Sequence, residues 1–228
     1  MPLKAKTLSG KIVYAWNYNG EKPIYCPYCS GEMYFRDRST GLVKRREHFA
    51  HKVKCAYYWE PETEEHEEMK YILMIWLKKF YPESSDVEIK VGKYIADVYV
   101  KFPRFYVVVE AQYSDLSDSR FLKKSLNYCW SKAYQLWVWH DRFRDKLWKQ
   151  RGDVVRFELG RLVWQYIAEI AGQIVLLDPK SWKFGVYNIG ERLSKLRFKL
   201  EDKVWDSVFN FKPQLDAETG FIKLVRVR

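Results

Sequence analysis

The 228-residue sequence contains no apolar run of about 18 residues, so no membrane-spanning helix is expected. Its opening residues, MPLKAKTLSG, lack the apolar stretch of a secretory signal, and an intracellular, cytoplasmic protein is expected. Internal repeats, a Gly-rich phosphate loop and low-complexity linkers are also missing. That sets aside repeat arrays and phosphate-loop chemistry, and it implies no organic cofactor. Acidic residues are outnumbered, with 29 Asp and Glu against 40 Lys and Arg, for a formal charge of +11. Such an excess attracts a polyanion, most often nucleic acid, although a solubilising surface would show the same balance.

What remains is rich in aromatics, which make up 18% of the chain, within an apolar fraction of 47%. Aromatics among Arg and Lys suit base stacking and core packing equally. There are only four cysteines, and three fall in one short block, CPYCSGEMYFRDRSTGLVKRREHFAHKVKC. In a reducing compartment such clustering points to metal rather than disulfides. Cys26 and Cys29 form a C-x-x-C turn followed by Gly31, and Cys55 follows His51 at H-x-x-x-C spacing. Two ligands from a knuckle and two from a second segment make a tetrahedral, structural zinc site. His51 is favoured as the fourth ligand, with His48 in reserve. Arg45 and Arg46, between the ligand pairs, form a basic ribbon that could touch phosphate.

PETEEHEEMKYILMIWLKKF reads as a helix with Pro61 in its first turn and Met69, Ile72, Leu73, Trp76 and Phe80 as its buried stripe. Glu62, Glu65 and His66 project to that same side; Glu64, Glu67 and Glu68 point away, and Lys70 lies at the edge. VEIKVGKYIADVYVKF then reads as a hairpin turning near Gly92 and Lys93. Asp97 interrupts its second strand. FYVVVEAQ is the third strand, apolar enough to be central. Side-chain alternation puts Glu110 and Gln112 on one face, within reach of Asp97 on the neighbouring strand. Converging carboxylates repel unless a proton or cation intervenes, and a hard cation such as Mg²⁺ or Mn²⁺ accepts such oxygens. A loop with Ser114 leads to a helix carrying Arg120, Lys123 and Lys124, near the site mouth and suited to phosphate. QLWVW follows as a strand parallel to the third. DRFRDKLWKQRGD begins as a helix; VVRFEL, QIVLLD and FIKLVRVR read as strands; RLVWQYIAEIAG fits helix or strand.

In order, CPYC, EHFAH, EHEEMK, ADV and EAQYS resemble the competence protein CoiA-like family of PD-(D/E)XK nucleases. The resemblance covers roughly residues 24–140. It implies an α/β (α+β) fold, with a restriction-endonuclease-like core whose central mixed sheet is flanked by helices, preceded by a small zinc-binding β-ribbon. It implies metal-dependent cleavage of DNA phosphodiesters, with Asp97 and Glu110 as ligands of Mg²⁺ or Mn²⁺. Gln112 stands where the superfamily more often has Lys, and Lys70 or the metal itself would supply the missing charge. Glu65 and His66 match the helix motif and would hold a second metal, a water or a proton. The expected division is 1–58 for the zinc ribbon, 59–145 for the nuclease core, and 146–228 for an extension or cap. The expected partners are DNA and, for double-strand cutting, a second copy in a homodimer. A non-catalytic zinc-containing DNA-binding protein is the alternative, and a junction resolvase is a variant of the nuclease reading.

Overall fold

The computed structural model describes residues 2–37, 47–53, 55, 63–144, 148–151, 153–157, 162–194 and 197–227. Arg45, Arg46, Pro61 and Glu62 lie outside the described residues.

The N-terminal part is a five-stranded sheet in the order β2-β1-β3-β4-β5, formed by β1 (Lys4–Thr7), β2 (Ile12–Tyr14), β3 (Ile24–Tyr25), β4 (Glu32–Arg36) and β5 (His48–His51). Its small core contains Ala5, Ile24, Met33, Phe49, Cys26 and Cys55. So little apolar volume is a reason for a metal staple.

Helix α1 (Glu64–Phe80) follows, capped by Thr63, whose hydroxyl accepts the His66 N–H. Met69, Ile72, Leu73 and Trp76 are completely buried, as their helical spacing predicts. Burying each stabilises the fold by roughly 1.5–3 kcal/mol. They cover one face of a sheet in which β6 (Ser85–Val91) and β7 (Tyr94–Lys101) form the expected hairpin and β8 (Tyr106–Gln112) pairs with β7. Gly92 adopts φ +61°, as the tight turn requires. Helix α2 (Asp118–Trp130) crosses the opposite face to β9 (Ala133–His140), which runs parallel to β8. Val107 and Val109 face α1, whereas Val108, Trp137 and Trp139 face α2.

The sheet continues beyond this unit. β12 (Gln173–Asp178) lies parallel to β9, and the long hairpin of β13 (Lys183–Ser194) and β14 (Arg197–Ser207) follows. With β10 (Trp148–Arg151) and β11 (Val154–Phe157) the sheet has nine strands, ordered β10-β11-β14-β13-β12-β9-β8-β7-β6. β15 (Phe211–Leu215) and β16 (Ile222–Arg226) form a separate pair. The segment that fitted helix or strand is a helix, α3 (Leu162–Ile170). The segment expected to begin as a helix opens with a 3-10 turn, Asp141–Phe143, and residues 145–147 lie outside the described residues. No helix among the described residues is long and apolar enough to cross a membrane.

Candidate active site and metal centre

The β7–β8 ladder runs only as far as the pair Val98–Val109. Just beyond it lie Asp97 and Glu110. Where the next rung would form, the Asp97 carboxylate itself accepts the Ala111 N–H, at 2.9 Å to Oδ2. The two strands thus part into a notch floored by carboxylates, with a side chain taking over a backbone hydrogen bond.

Three helical side chains close on the notch. From α1, His66 Nε2 lies 3.3 Å from Asp97 Oδ2. From α2, Lys124 Nζ lies 2.5 Å from Glu110 Oε2, and Tyr128 donates its hydroxyl to Glu110 Oε1. Lys124 and Tyr128 are four apart on the helix and share a face. The ammonium is also held over the rings of Tyr128 and Trp137, each 5.9 Å away. Asp97 makes both of its contacts through Oδ2, and Oδ1 makes neither.

The electrostatics divide the two carboxylates. Burial lifts Glu110 to about 7, even against Lys124, and the charge of Asp97 adds to the rise. Burial pushes Asp97 the same way, but His66, Lys124 and Lys70 outweigh it and hold Asp97 far below its ordinary range. Burial disfavours the charge on Lys124, yet Glu110 and Asp97 together raise its affinity for the proton. One carboxylate is therefore firmly ionised while its neighbour is poised near neutrality, an arrangement typical of catalytic clusters. A divalent cation suits this donor set: two convergent carboxylates, one with an oxygen outside the hydrogen-bond pattern, in a desolvated notch.

The other expected site residues are placed as follows. Gln112 lies on the Glu110 face but turns its amide to the following loop, donating to Ser114 O at 2.5 Å. Lys70 is completely buried and bonds Glu88 Oε1 at 2.9 Å, so its contact with the notch is electrostatic. Glu65 is exposed and acts on His140 at the end of β9 rather than on Asp97. Ser114 and Lys123 are exposed, and Arg120 is half-buried in the first turn of α2. Arg142 stacks on Tyr113, 4.4 Å from the ring centre, and adds a cation at the same strand ends. Glu67, expected to face outward, is fully buried. The helical wheel assumed a single buried stripe, but the N-terminal sheet also packs here: Trp16 meets Tyr71 of α1 edge to face at 6.2 Å.

Tyr128 and Glu88 were missed. The spacing Phe121, Ser125, Tyr128, with Lys124 beside it, was a readable signal for the first. For Glu88 no signal existed, because alternation with Val87 and Ile89 argues for the solvent face.

The second cluster brings together Cys26, Cys29, His51 and Cys55, whose donor atoms all lie within 4.8 Å of one another. Zinc–sulfur bonds of about 2.3 Å in a tetrahedron require donor separations only slightly shorter. Backbone N–H groups of Tyr28 and Cys29 point at Cys26 Sγ, at 3.4 and 3.5 Å, and that of Gly31 points at Cys29 Sγ, at 3.3 Å. Such donors favour thiolates. A Cβ on Gly31 would stand 3.2 Å from Cys29 Sγ, so the glycine leaves the knuckle its room. This Cys₃His set fits a zinc ion; His48 is not among its members.

A helix, a hairpin, a third strand and a helix leading to a parallel fourth strand, with carboxylates where the second and third strands part, define a restriction-endonuclease-like core. The chain belongs to the CoiA family: residues 62–194, more than half its length, match the competence protein CoiA nuclease-like domain. No curated protein and no solved structure matches the chain.

Proposed function

We propose that the protein is a Mg²⁺- or Mn²⁺-dependent deoxyribonuclease, cutting phosphodiester bonds within DNA during recombination, repair or the processing of mobile or viral DNA. The observation that carries this reading is the convergence of Asp97 and Glu110 with Lys124 beside them. A protein that only binds DNA has no need to desolvate two carboxylates together, at several kcal/mol per ion before compensation. Asp97 and Glu110 would hold the cation, which when bound supplies Lewis acidity toward water and phosphate.

The remaining roles fall to the chain itself. Lys124 carries the positive charge that Gln112 cannot, from where it can meet a phosphate oxygen or orient the attacking water. His66 accepts or returns a proton beside Asp97. Arg120, whose charge is felt by Lys124, Arg142 on Tyr113 and the exposed Lys123 suit backbone phosphates. The excess of basic residues and the nuclease-like family support a nucleic-acid substrate. Action on two strands would call for a homodimer.

The test is incubation with supercoiled, linear and branched DNA, with Mg²⁺, with Mn²⁺ and with neither. Cleavage should require the cation and fall by at least ~100-fold in Asp97→Ala and Glu110→Ala. Absence of cation-dependent cleavage on every substrate would overturn the proposal. Undiminished cleavage by both variants would overturn the site.

A further inference from the structure

Glu88 is a buried carboxylate that the mechanism does not use, and it holds an uncommon backbone conformation, φ +53°, in the middle of β6. It lies across from Asp97, between the pairs Val87–Val98 and Ile89–Ala96. There the strand pair changes the face it presents: Val87 and Val98 pack under α1, while Ile89 and Ala96 pack with the opposite core.

Contacts from separate parts of the chain fix this residue. Lys70 of α1, one turn beyond His66, bonds Glu88 Oε1 at 2.9 Å. The Leu3 N–H bonds the same oxygen at 3.0 Å. Tyr28, seated between the zinc ligands Cys26 and Cys29, donates its hydroxyl to the Glu88 carbonyl. The segment around Leu3 is in turn bound to the ribbon: Phe49 N–H bonds Pro2 O and Ala15 N–H bonds Leu3 O, both at 2.9 Å. Hydrogen bonds thus run from the knuckle to the residue opposite Asp97 and on to the helix that bears His66.

We propose that Glu88 is a positioning residue joining the zinc knuckle to the Asp97–His66 pair, so that loading zinc arranges the carboxylate notch. The N-terminal sheet is then more than a staple or a DNA-binding appendage. Without its metal, Tyr28 loses its seat, the conformation of Glu88 loses a restraint, and Asp97 loses its register beside Ala111. The inference rests on the nuclease reading for the meaning of the notch, but not for its test.

Tyr28→Phe removes one hydroxyl and leaves every zinc ligand in place. Full-length, zinc-loaded wild type, Tyr28→Phe and the control Tyr18→Phe are compared by zinc content, Mn²⁺ titration followed by electron paramagnetic resonance, and hydrogen exchange at the Ala111 amide. Tyr28→Phe should keep its zinc, bind Mn²⁺ about tenfold more weakly and exchange Ala111 faster, since outer partners of a metal site carry effects of that size. Tyr18→Phe should match wild type. Zinc-stripped wild type should show the same two changes, larger. If zinc-loaded Tyr28→Phe keeps wild-type exchange at Ala111, the coupling is wrong. If wild type binds no Mn²⁺ at all, the nuclease reading fails, while Ala111 exchange still decides the coupling.

Discussion

Replacing Glu110 with Gln should make the protein more stable as it inactivates it, and the gain should depend on pH. An ordinary glutamate titrates near 4.5, whereas burial lifts Glu110 to about 7 in the folded chain. Below 4.5 both states hold the proton, and the group contributes nothing. Between 4.5 and about 7 the folded chain keeps a proton that the unfolded chain has released, so stability falls as pH rises. Above 7 the full penalty applies, roughly 3 kcal/mol for a displacement of this size. Gln cannot ionise and escapes that penalty. It still accepts from Tyr128, and the lost attraction to Lys124 adds no separate cost, because the rise to about 7 already includes it. The net expectation at pH 8 is stabilisation by roughly 3 kcal/mol, or about 6–12 °C in Tm for a chain of this length. At pH 5 the gain should shrink to under about 1 kcal/mol. The assay is thermal unfolding of wild type and Glu110→Gln, both zinc-loaded and free of Mg²⁺ and Mn²⁺, at pH 5, 6, 7 and 8. His140, which burial holds below its ordinary range, tilts stability the other way in this window, but it cancels in the difference. A variant less stable than wild type at pH 8, or a difference that does not change with pH, would refute the claim that burial dominates at Glu110.

Asp97→Asn should have the opposite sign, costing about 2–3 kcal/mol through the weakened His66 and Ala111 bonds. Because the Asp97 proton affinity is depressed, its own contribution is present above the ordinary value of 3.8 and lost only as pH falls below it; removing its charge also eases the rise at Glu110, so the cost should be largest near pH 5 and shrink toward pH 8 by the same thermal measurement. Metal analysis should find one zinc per chain, absent in Cys26→Ser, whose Tm should also fall. Gly92→Ala should destabilise by at least ~1–2 kcal/mol in denaturant titration, because a Cβ would stand 2.4 Å from Asn127 Oδ1 at a positive φ.

The core fold was legible because its signals are local and periodic. Met69 to Trp76 recur at helical spacing, and Val107 to Val109 form the unbroken apolar run of a strand covered on both faces. The chelating spacing around Cys26 and Cys55 was equally local. What was not legible depends on contacts between distant segments. Glu88 follows strand alternation in the sequence and breaks it in the structure through its φ of +53°, held by residues 60 and 85 positions away. Glu67 reads as solvent-facing because nothing in the helix announces the second packing contact, Trp16 on Tyr71, one turn further along. The hairpin of β13 and β14 carries charges through its length, as in GERL and KLEDK, and hides the alternation that marks a strand. Asp97, by contrast, was found because an acidic residue in a β-rich run is locally anomalous.

The most consequential revision concerns the charge that Gln112 lacks. A lysine at position 112 would leave the strand on the Glu110 face, one residue pair further along. Lys124 delivers its ammonium to that same face from above, carried by α2 and braced by Tyr128 and Trp137. The sequence places it on a helix, where a phosphate-contacting surface lysine is the ordinary reading; only the crossing of α2 over β8 makes it part of the notch. If Lys124 does the work of the strand lysine, the two positions are exchangeable. Lys124→Gln should lower cleavage by about 100-fold with little change in DNA affinity, whereas a phosphate contact would weaken binding and flatten its salt dependence. Adding Gln112→Lys to Lys124→Gln should restore much of the lost rate, because the new ammonium enters the same notch from the strand. Full activity in Lys124→Gln, or a double variant no better than the single one, would return Lys124 to the role of a phosphate contact and leave the E-x-Q strand without its cation.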